Sequence, residues 1–233
     1  MICFNPKEII DISMPLVEGM KGYKGREAKK PRFENQVNHQ TGTVHESLLS
    51  MNLHTGTHID TKLHMIDDGE KLEALAISDF IAEAIVLDFS HIQNAITKTD
   101  IEEKIASLVK KNILKKGSVT TILKELFVIL KTKNSFEDIL EGAFIYLQED
   151  GAEYLAKMGL RGVGIDALGI ERDQPNHGSH LALMEEDIHI LEGLRLGHVA
   201  EGCYTLLALP LSIIGVEASP VRAVLFPSTE TTR

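Results

Sequence analysis

Positions 54 to 64 read His-Thr-Gly-Thr-His-Ile-Asp-Thr-Lys-Leu-His, three histidines and one aspartate within eleven residues. Neutral imidazole and carboxylate are the common ligands of zinc and similar divalent ions. His54, His58, Asp60 and His64 are all even-numbered, so an extended backbone turns them to one face, which also carries Ser50 and Asn52. Residues four apart on a straight strand are separated by ~13 Å. His54 and His58 therefore share an ion only if the chain bends, and Gly56 is the residue suited to permit it. A helix would also bring them together, but Thr55, Gly56, Thr57 and Ile59 disfavour helix, and the glutamate of H-E-x-x-H is missing. The expectation is a bent strand or bulge that presents a metal site. The competing reading, ordinary surface histidines among the ten in the chain, accounts less well for the even phasing.

A weaker constellation lies downstream, in His177-Gly-Ser-His180 and His189-Ile-Leu-Glu192-Gly193. Glu192 ends an apolar run and precedes a glycine, where a histidine and a glutamate could complete a metal centre. Taken alone, a solvated glutamate is the default reading.

These residues need elements to hold them. Glu8–Ile12 reads as a short strand and 15–31, rich in Gly, Lys and Pro, as a loop. Leu49, Met51 and Leu53 alternate with Ser50, Asn52 and His54, a period of two that predicts a strand with one buried face. Ile77–Glu83 is a short helix candidate capped by Ser78, and Ala84–Phe89 a buried strand. A helix through Ile101–Lys111 is capped by Thr99 or Asp100. Leu126–Leu130 is another buried strand. Glu149–Met158 is helical by pattern and stops at Gly159. Val163–Asp166 reads as a strand ending in an acidic residue, His180–Asp187 as a short helix, and Ile188–Leu191 as the strand delivering Glu192. Thr205–Leu211 and Val221–Phe226 finish as strands. Strands and helices interleave, so the class is α/β with a mixed sheet. The lysine-rich stretch 104–124 reads as a solvated helical surface.

With 233 residues, 43% hydrophobic and 25% charged, the chain suits one globular domain spanning 1–233. Its net charge of −10 argues against a nucleic-acid partner. No run approaches the ~20 apolar residues of a membrane helix. The first residues have neither the basic flank nor the apolar run of a signal peptide. Cys3 and Cys203 read as reduced thiols of a cytoplasmic protein, Cys203 in the core. Aromatic residues are only 5%, without tryptophan, leaving Tyr23 and Phe33 as the early rings placed to help a substrate pocket.

The segment from His54 to His64 resembles the signature H-x-G-T-H-x-D-x-P-x-H of the cyclase-like metal-dependent hydrolases that include bacterial kynurenine formamidase, departing only at Lys62. Asp11-Ile-Ser, Val163-Gly-Ile-Asp166, Ile190-Leu-Glu192-Gly-Leu194 and Pro210-Leu with Ala218-Ser-Pro220-Val-Arg222 are similar to further landmarks of that family, over nearly the whole chain. The resemblance implies a swivelling β/β/α-like fold and a homodimer or homotetramer. It also implies one or two divalent ions, zinc before manganese. His54, His58 and Asp60 would bind one ion, with Asp60 bridging to a second completed by His180 and Glu192. His64 would be the general acid/base, and His177 competes with His180. Lys62 replaces the signature proline, Lys21 and Lys24 stand where proline is frequent, and Leu130-Lys-Thr-Lys133 stands where an R-T-G-like turn is usual. All four departures are expected near the site mouth.

The expected activity is hydrolysis of a non-peptide C–N bond in a small molecule, an N-formyl arylamine such as formylkynurenine or a cyclic amide. A divalent ion lowers the pKa of bound water toward ~7, and proton transfer by His64 would contribute about 10²–10⁴-fold. The alternative is a metal-binding member without turnover, acting as a binding or regulatory protein, in which the Lys62 cation occupies the anion or water position.

Overall fold

The structure is a computed structural model that describes residues 5–114, 117 and 119–228. Nine strands form one mixed sheet: β1 (Ile10–Asp11), β4 (His58–Asp60), β5 (Ile81–Asp88), β7 (Phe127–Lys131), β9 (Gly162–Ile165), β10 (His189–Glu192), β11 (Gly202–Leu207), β12 (Ala218–Pro220) and β13 (Val224–Pro227). Their order is β1-β13-β11-β5-β7-β9-β10-β4-β12. The centre, β5-β7-β9-β10, is parallel, and every pairing outside it is antiparallel. Two small pairs stand apart: β2 (Arg32–Val37) with β3 (Glu46–Ser50), and β6 (Ala95–Ile96) with β8 (Tyr146–Leu147).

Parallel strands need crossovers, and four helices supply or accompany them: α1 (Lys98–Lys110), α2 (Val119–Leu123), α3 (Glu149–Ala156) and α4 (Gly178–Met184). In α1, Ile101, Ile105 and Leu108 fall on one face and are buried. Its cap is Thr97, two residues before the expected position, in a reciprocal capping box with Asp100. The sheet buries both faces, as alternation along β5 shows. Ile85 and Leu87 join the cluster that packs on the helices, while Ala84 and Val86 join the opposite cluster with Ile59, Leu191 and Phe127.

Most expected elements are present, with corrections: the first strand is only Ile10–Asp11, after a tight turn at Pro6–Glu8, and the last begins at Val224 rather than Val221. β3 is a strand but has no buried face, because it pairs only with β2 in a solvent-exposed ribbon and the chain turns away after Ser50. Ile77–Phe80 makes only a single tight turn, and β5 begins at Ile81, three residues ahead of the expected start. The strand expected over Thr205–Leu211 ends at Leu207, where its ladder with β5 runs out. Cys203 is half-buried against the helix-side cluster, and Cys3 lies outside the described residues. Lys104 is held by Glu201 rather than by solvent alone, while Lys115 and Lys116 lie outside the described residues. Among the described residues no helix is long and apolar enough to cross a membrane.

Candidate metal centre

The site is built on β4. Asn52 accepts the His54 backbone N–H at 3.0 Å and tightens the turn after β3. Gly56, at φ +69, reverses the chain, and His58–Asp60 then runs as a fully buried strand. The bend foreseen at Gly56 is therefore present. β4 pairs antiparallel with β10 so that His58 lies directly opposite Glu192, and Asp60 opposite Ile190. Cross-strand partners share a face. His58, Asp60 and Glu192 therefore project to the helix side of the sheet, where α4 brings His180.

Six expected residues converge there. His54 Nδ1 lies 2.9 Å from Asp60 Oδ1, and His54 Nε2 lies 3.3 Å from Glu217 Oε1. His58 Nε2 is 3.5 Å from Asp60 Oδ1 and 3.3 Å from Glu192 Oε2. His180 Nε2 is 3.8 Å from Asp60 Oδ2 and 3.4 Å from Glu192 Oε1. The His64 ring stacks 4.1 Å from that of His54 and 5.7 Å from that of His180. Two groups share Asp60: His54 and His64 on one side, His58 and Glu192 on the other, each with donor atoms within 4.8 Å of one another.

Second contacts fix the imidazoles. His58 Nδ1 is 3.0 Å from the Gly56 carbonyl, which can only accept, so Nδ1 carries a proton and Nε2 is the ring nitrogen that faces the site. Glu171, which no motif had indicated, sets its Oε1 3.1 Å from His180 Nδ1 and 2.5 Å from His177 Nδ1. His177 thus belongs to an outer group with Glu171 and does not take the place of His180 beside Asp60. Ile170 N–H donates to Glu192 Oε1 at 2.5 Å. The available signal for Glu171 was a carboxylate directly following the apolar run Ala167-Leu-Gly-Ile170.

The electrostatics favour ion pairing between these partners. Burial works against the charged form of His180, but Glu171 and Glu192 outweigh it and push its pKa up to about 10. Burial likewise opposes, and Asp60 and Glu192 reverse, the shift at His58, which is raised. Burial would raise Glu192, yet His180 and His58 hold it well below the usual carboxylate range. His64 is different: burial dominates and lowers its pKa to about 4, so its imidazole is neutral at pH 7.

The donor set fits a divalent cation. His58 Nε2 and both oxygens of Asp60 are buried, and although His54, His180 and Glu192 approach them as ion-pair neighbours, none of the three atoms has a well-formed hydrogen bond among the described residues. Buried polar groups are rarely left so, and a cation between imidazole and carboxylate ligands would satisfy them. Beside these groups opens a cavity of about 320 Å³ lined by Tyr23, Arg26, Lys29, Met65 and Leu168 together with His54, His64 and His180.

The departures from the signature are mostly placed elsewhere. Lys62 lines a separate cavity with Glu70 and Asp79, and its ammonium sits 2.5 Å from Asp187 Oδ1. Asp60 also lines that cavity, but the Lys62 ammonium is engaged by Asp187 and Lys62 does not line the cavity of His54, His64 and His180, contrary to the expectation that it could fill a water position. Lys131 donates to the Val199 carbonyl at 2.7 Å and pairs with Asp88, and Thr132 donates to Asp166. That turn therefore supports the fold behind the site and does not line the mouth. Lys21 and Lys24 belong to the loop that contributes Tyr23, Arg26 and Lys29 to the cavity, but they do not line it and are paired with acidic residues. Tyr23 lines the cavity, whereas Phe33 stands exposed on the β2–β3 ribbon.

Comparison with known proteins agrees with this geometry. Kynurenine formamidase of Bacillus thuringiensis (strain Al Hakam) is 32% identical over 224 residues, covering 94% of this chain and 98% of the relative. A solved structure of a potential metal-dependent hydrolase with cyclase activity superposes with a TM-score of 0.81 at 39% identity, covering 95% of this chain and 98% of that one. A second, described as a predicted metal-dependent hydrolase from Bacillus stearothermophilus, gives a TM-score of 0.79 at 41% identity, covering 94% and 97%. The model of the Cyclase family matches residues 10–172, the span that contains the bend at Gly56, all of β4 and His64. On these grounds the chain belongs to the Cyclase family of metal-dependent hydrolases.

Proposed function

We propose that this chain hydrolyses a non-peptide C–N bond, in an N-formyl arylamine such as formylkynurenine or in a cyclic amide. It would do so with one or two divalent ions, Zn²⁺ or Mn²⁺, held by His54, His58, Asp60, His180 and Glu192. The observation that carries this reading is the set of buried donor atoms of His58 and Asp60, without well-formed hydrogen bonds among the described residues, at the edge of an open cavity. The formamidase relatives favour an amide as the bond attacked.

A divalent cation, when bound, supplies Lewis acidity toward a carbonyl and lowers the pKa of bound water toward ~7. The protein's own groups supply the rest. His64, neutral at pH 7 and facing the cavity, accepts a proton from the attacking water and returns it to the leaving nitrogen. The Gly56 carbonyl and Glu171 hold the His58 and His180 rings in one orientation, which keeps their Nε2 atoms aimed inward. Tyr23, Met65 and Leu168 give the cavity an apolar wall for the organic part of the substrate.

The test is formate release or ring opening across a panel of formanilides and cyclic amides. Activity should be abolished by chelation and restored by zinc or manganese. Stoichiometric metal with no turnover on any member would overturn the hydrolase reading and leave a metal-binding protein.

A further inference from the structure

The loop that lends Tyr23, Arg26 and Lys29 to the cavity lining carries five basic residues, Lys21, Lys24, Arg26, Lys29 and Lys30. It is pinned at both ends. Gly22 N–H donates to Glu141 Oε1 at 3.3 Å, and the Lys29 carbonyl accepts from Thr55 Oγ1 at 2.9 Å, one residue from His54. Three of the five cations are neutralised by carboxylates: Lys21 by Asp138 and Glu141, Lys24 by Asp173, and Lys30 by Glu27. Arg26 and Lys29 have no ion pair among the described residues, and these are the two that line the cavity. Among the described residues the Lys29 ammonium donates only to the neutral Asn52 amide oxygen, at 2.9 Å.

In a chain of net charge −10, two unpaired cations on one cavity wall are not explained by a general surplus of positive charge. Nor do they serve the acidic floor directly, because Asp60 and Glu192 face the three histidines His54, His58 and His180. Lys29 is half-buried, and burial lowers its pKa against the pull of Asp60 and Glu192. A cation bound at the floor would weaken that pull further. What such a wall lacks is an anion.

We propose that this site selects substrates that carry a carboxylate set off from the scissile C–N bond, received by Arg26 and Lys29 as specificity-determining residues. The proposal rests on the hydrolase reading above and narrows it to an anionic amide. Arg26 offers a planar fork suited to two carboxylate oxygens, and Lys29 a single strong donor. The Tyr23 ring and Leu168 would flank the segment between carboxylate and amide.

The experiment uses the metal-loaded full chain and matched formanilides bearing a ring carboxylate or the corresponding neutral carboxamide, at ortho, meta and para positions. One position should show kcat/KM for the carboxylate about 10–100-fold above that for the carboxamide, the range of one charge-assisted hydrogen bond. That ratio should fall toward one in Arg26→Gln and in Lys29→Gln, recover in part in Arg26→Lys, and shrink with rising salt. A ratio near one at every position in the unaltered protein would overturn the proposal, as would a preference that survives in the Arg26→Gln/Lys29→Gln double variant. If neither these formanilides nor the cyclic amides are turned over, the hydrolase reading fails by itself. Equilibrium binding of the same pair then decides the anion preference: tighter binding of the carboxylate, lost in Arg26→Gln, supports it, and equal binding refutes it.

Discussion

Gly193→Ala is a single methyl group placed where β10 meets the turn before β4. Gly193 sits at φ +70, and a Cβ built on it would lie 2.0 Å from the Gly56 carbonyl oxygen, 2.6 Å from its carbon and 3.1 Å from Thr57 N. All three are backbone atoms, so no side-chain rotation relieves the clash. A left-handed non-glycine residue costs roughly 1–2 kcal/mol, and overpacking a tight site typically costs about 1–3 kcal/mol. The variant should therefore be less stable by about 2–5 kcal/mol. The displaced carbonyl is also the acceptor that holds His58 Nδ1–H. Metal affinity should fall as well, by the ~10–100-fold typical of losing a contact that orients a ligand. Urea unfolding of the chelated protein reads the first effect, and competition against a chromogenic chelator reads the second. Gly142→Ala is the control: nothing lies within 4 Å of its Cβ, and the change should stay within about ±0.5 kcal/mol. Gly193→Ala with an unchanged midpoint and unchanged metal affinity would refute the packing of Gly193 on Gly56 and the role given to that carbonyl.

His64→Ala should leave metal content near normal while kcat drops about 10²–10⁴-fold; full activity would remove His64 from proton transfer. Glu171→Gln keeps the shape but not the charge beside His180 Nδ1, and should weaken metal binding by roughly 10–100-fold in a direct titration. Without metal, His180 has a pKa raised to about 10, above its unfolded value of ~6.5. Its stabilising contribution is therefore full below pH ~6.5 and is lost as pH rises toward 10. The urea midpoint of chelated protein should fall between pH ~6.5 and 9, and His180→Gln should flatten that slope. Metal binding at neutral pH should in turn release protons, because His180 must become neutral to ligate; calorimetry in buffers of different ionisation enthalpy counts them.

Legibility in the sequence followed the range of the interaction. The even spacing of His58 and Asp60, the freedom of Gly56 and the apolar rows of β5, β7 and α1 are local, and each predicted what is present. The exposed β3 was misread because alternation reports a face, not whether anything covers it; only the pairing with β2 decides that. Glu192 was a weak signal because its weight comes from register. Its place opposite His58 depends on a pairing between β4 and β10 that no nearby residue announces. Glu171 was missed for a related reason. It acts by facing His177 and His180 across a loop with left-handed residues at Asn176 and His177, a conformation that composition does not reveal. Lys62 was placed beside the histidines by its position in the motif, yet the tight turn at Lys62–His64 directs it to Asp187.

The most direct measurement is anomalous diffraction at the zinc and manganese absorption edges on crystals of protein purified without chelator. At least one peak should lie between His58 and Asp60, at the ~2.0–2.2 Å ligand distances of such ions, with Glu192 or His54 completing the coordination. Stoichiometric metal located only at other residues, or no peak at this position after soaking with either ion, would contradict a cation held by β4 and β10.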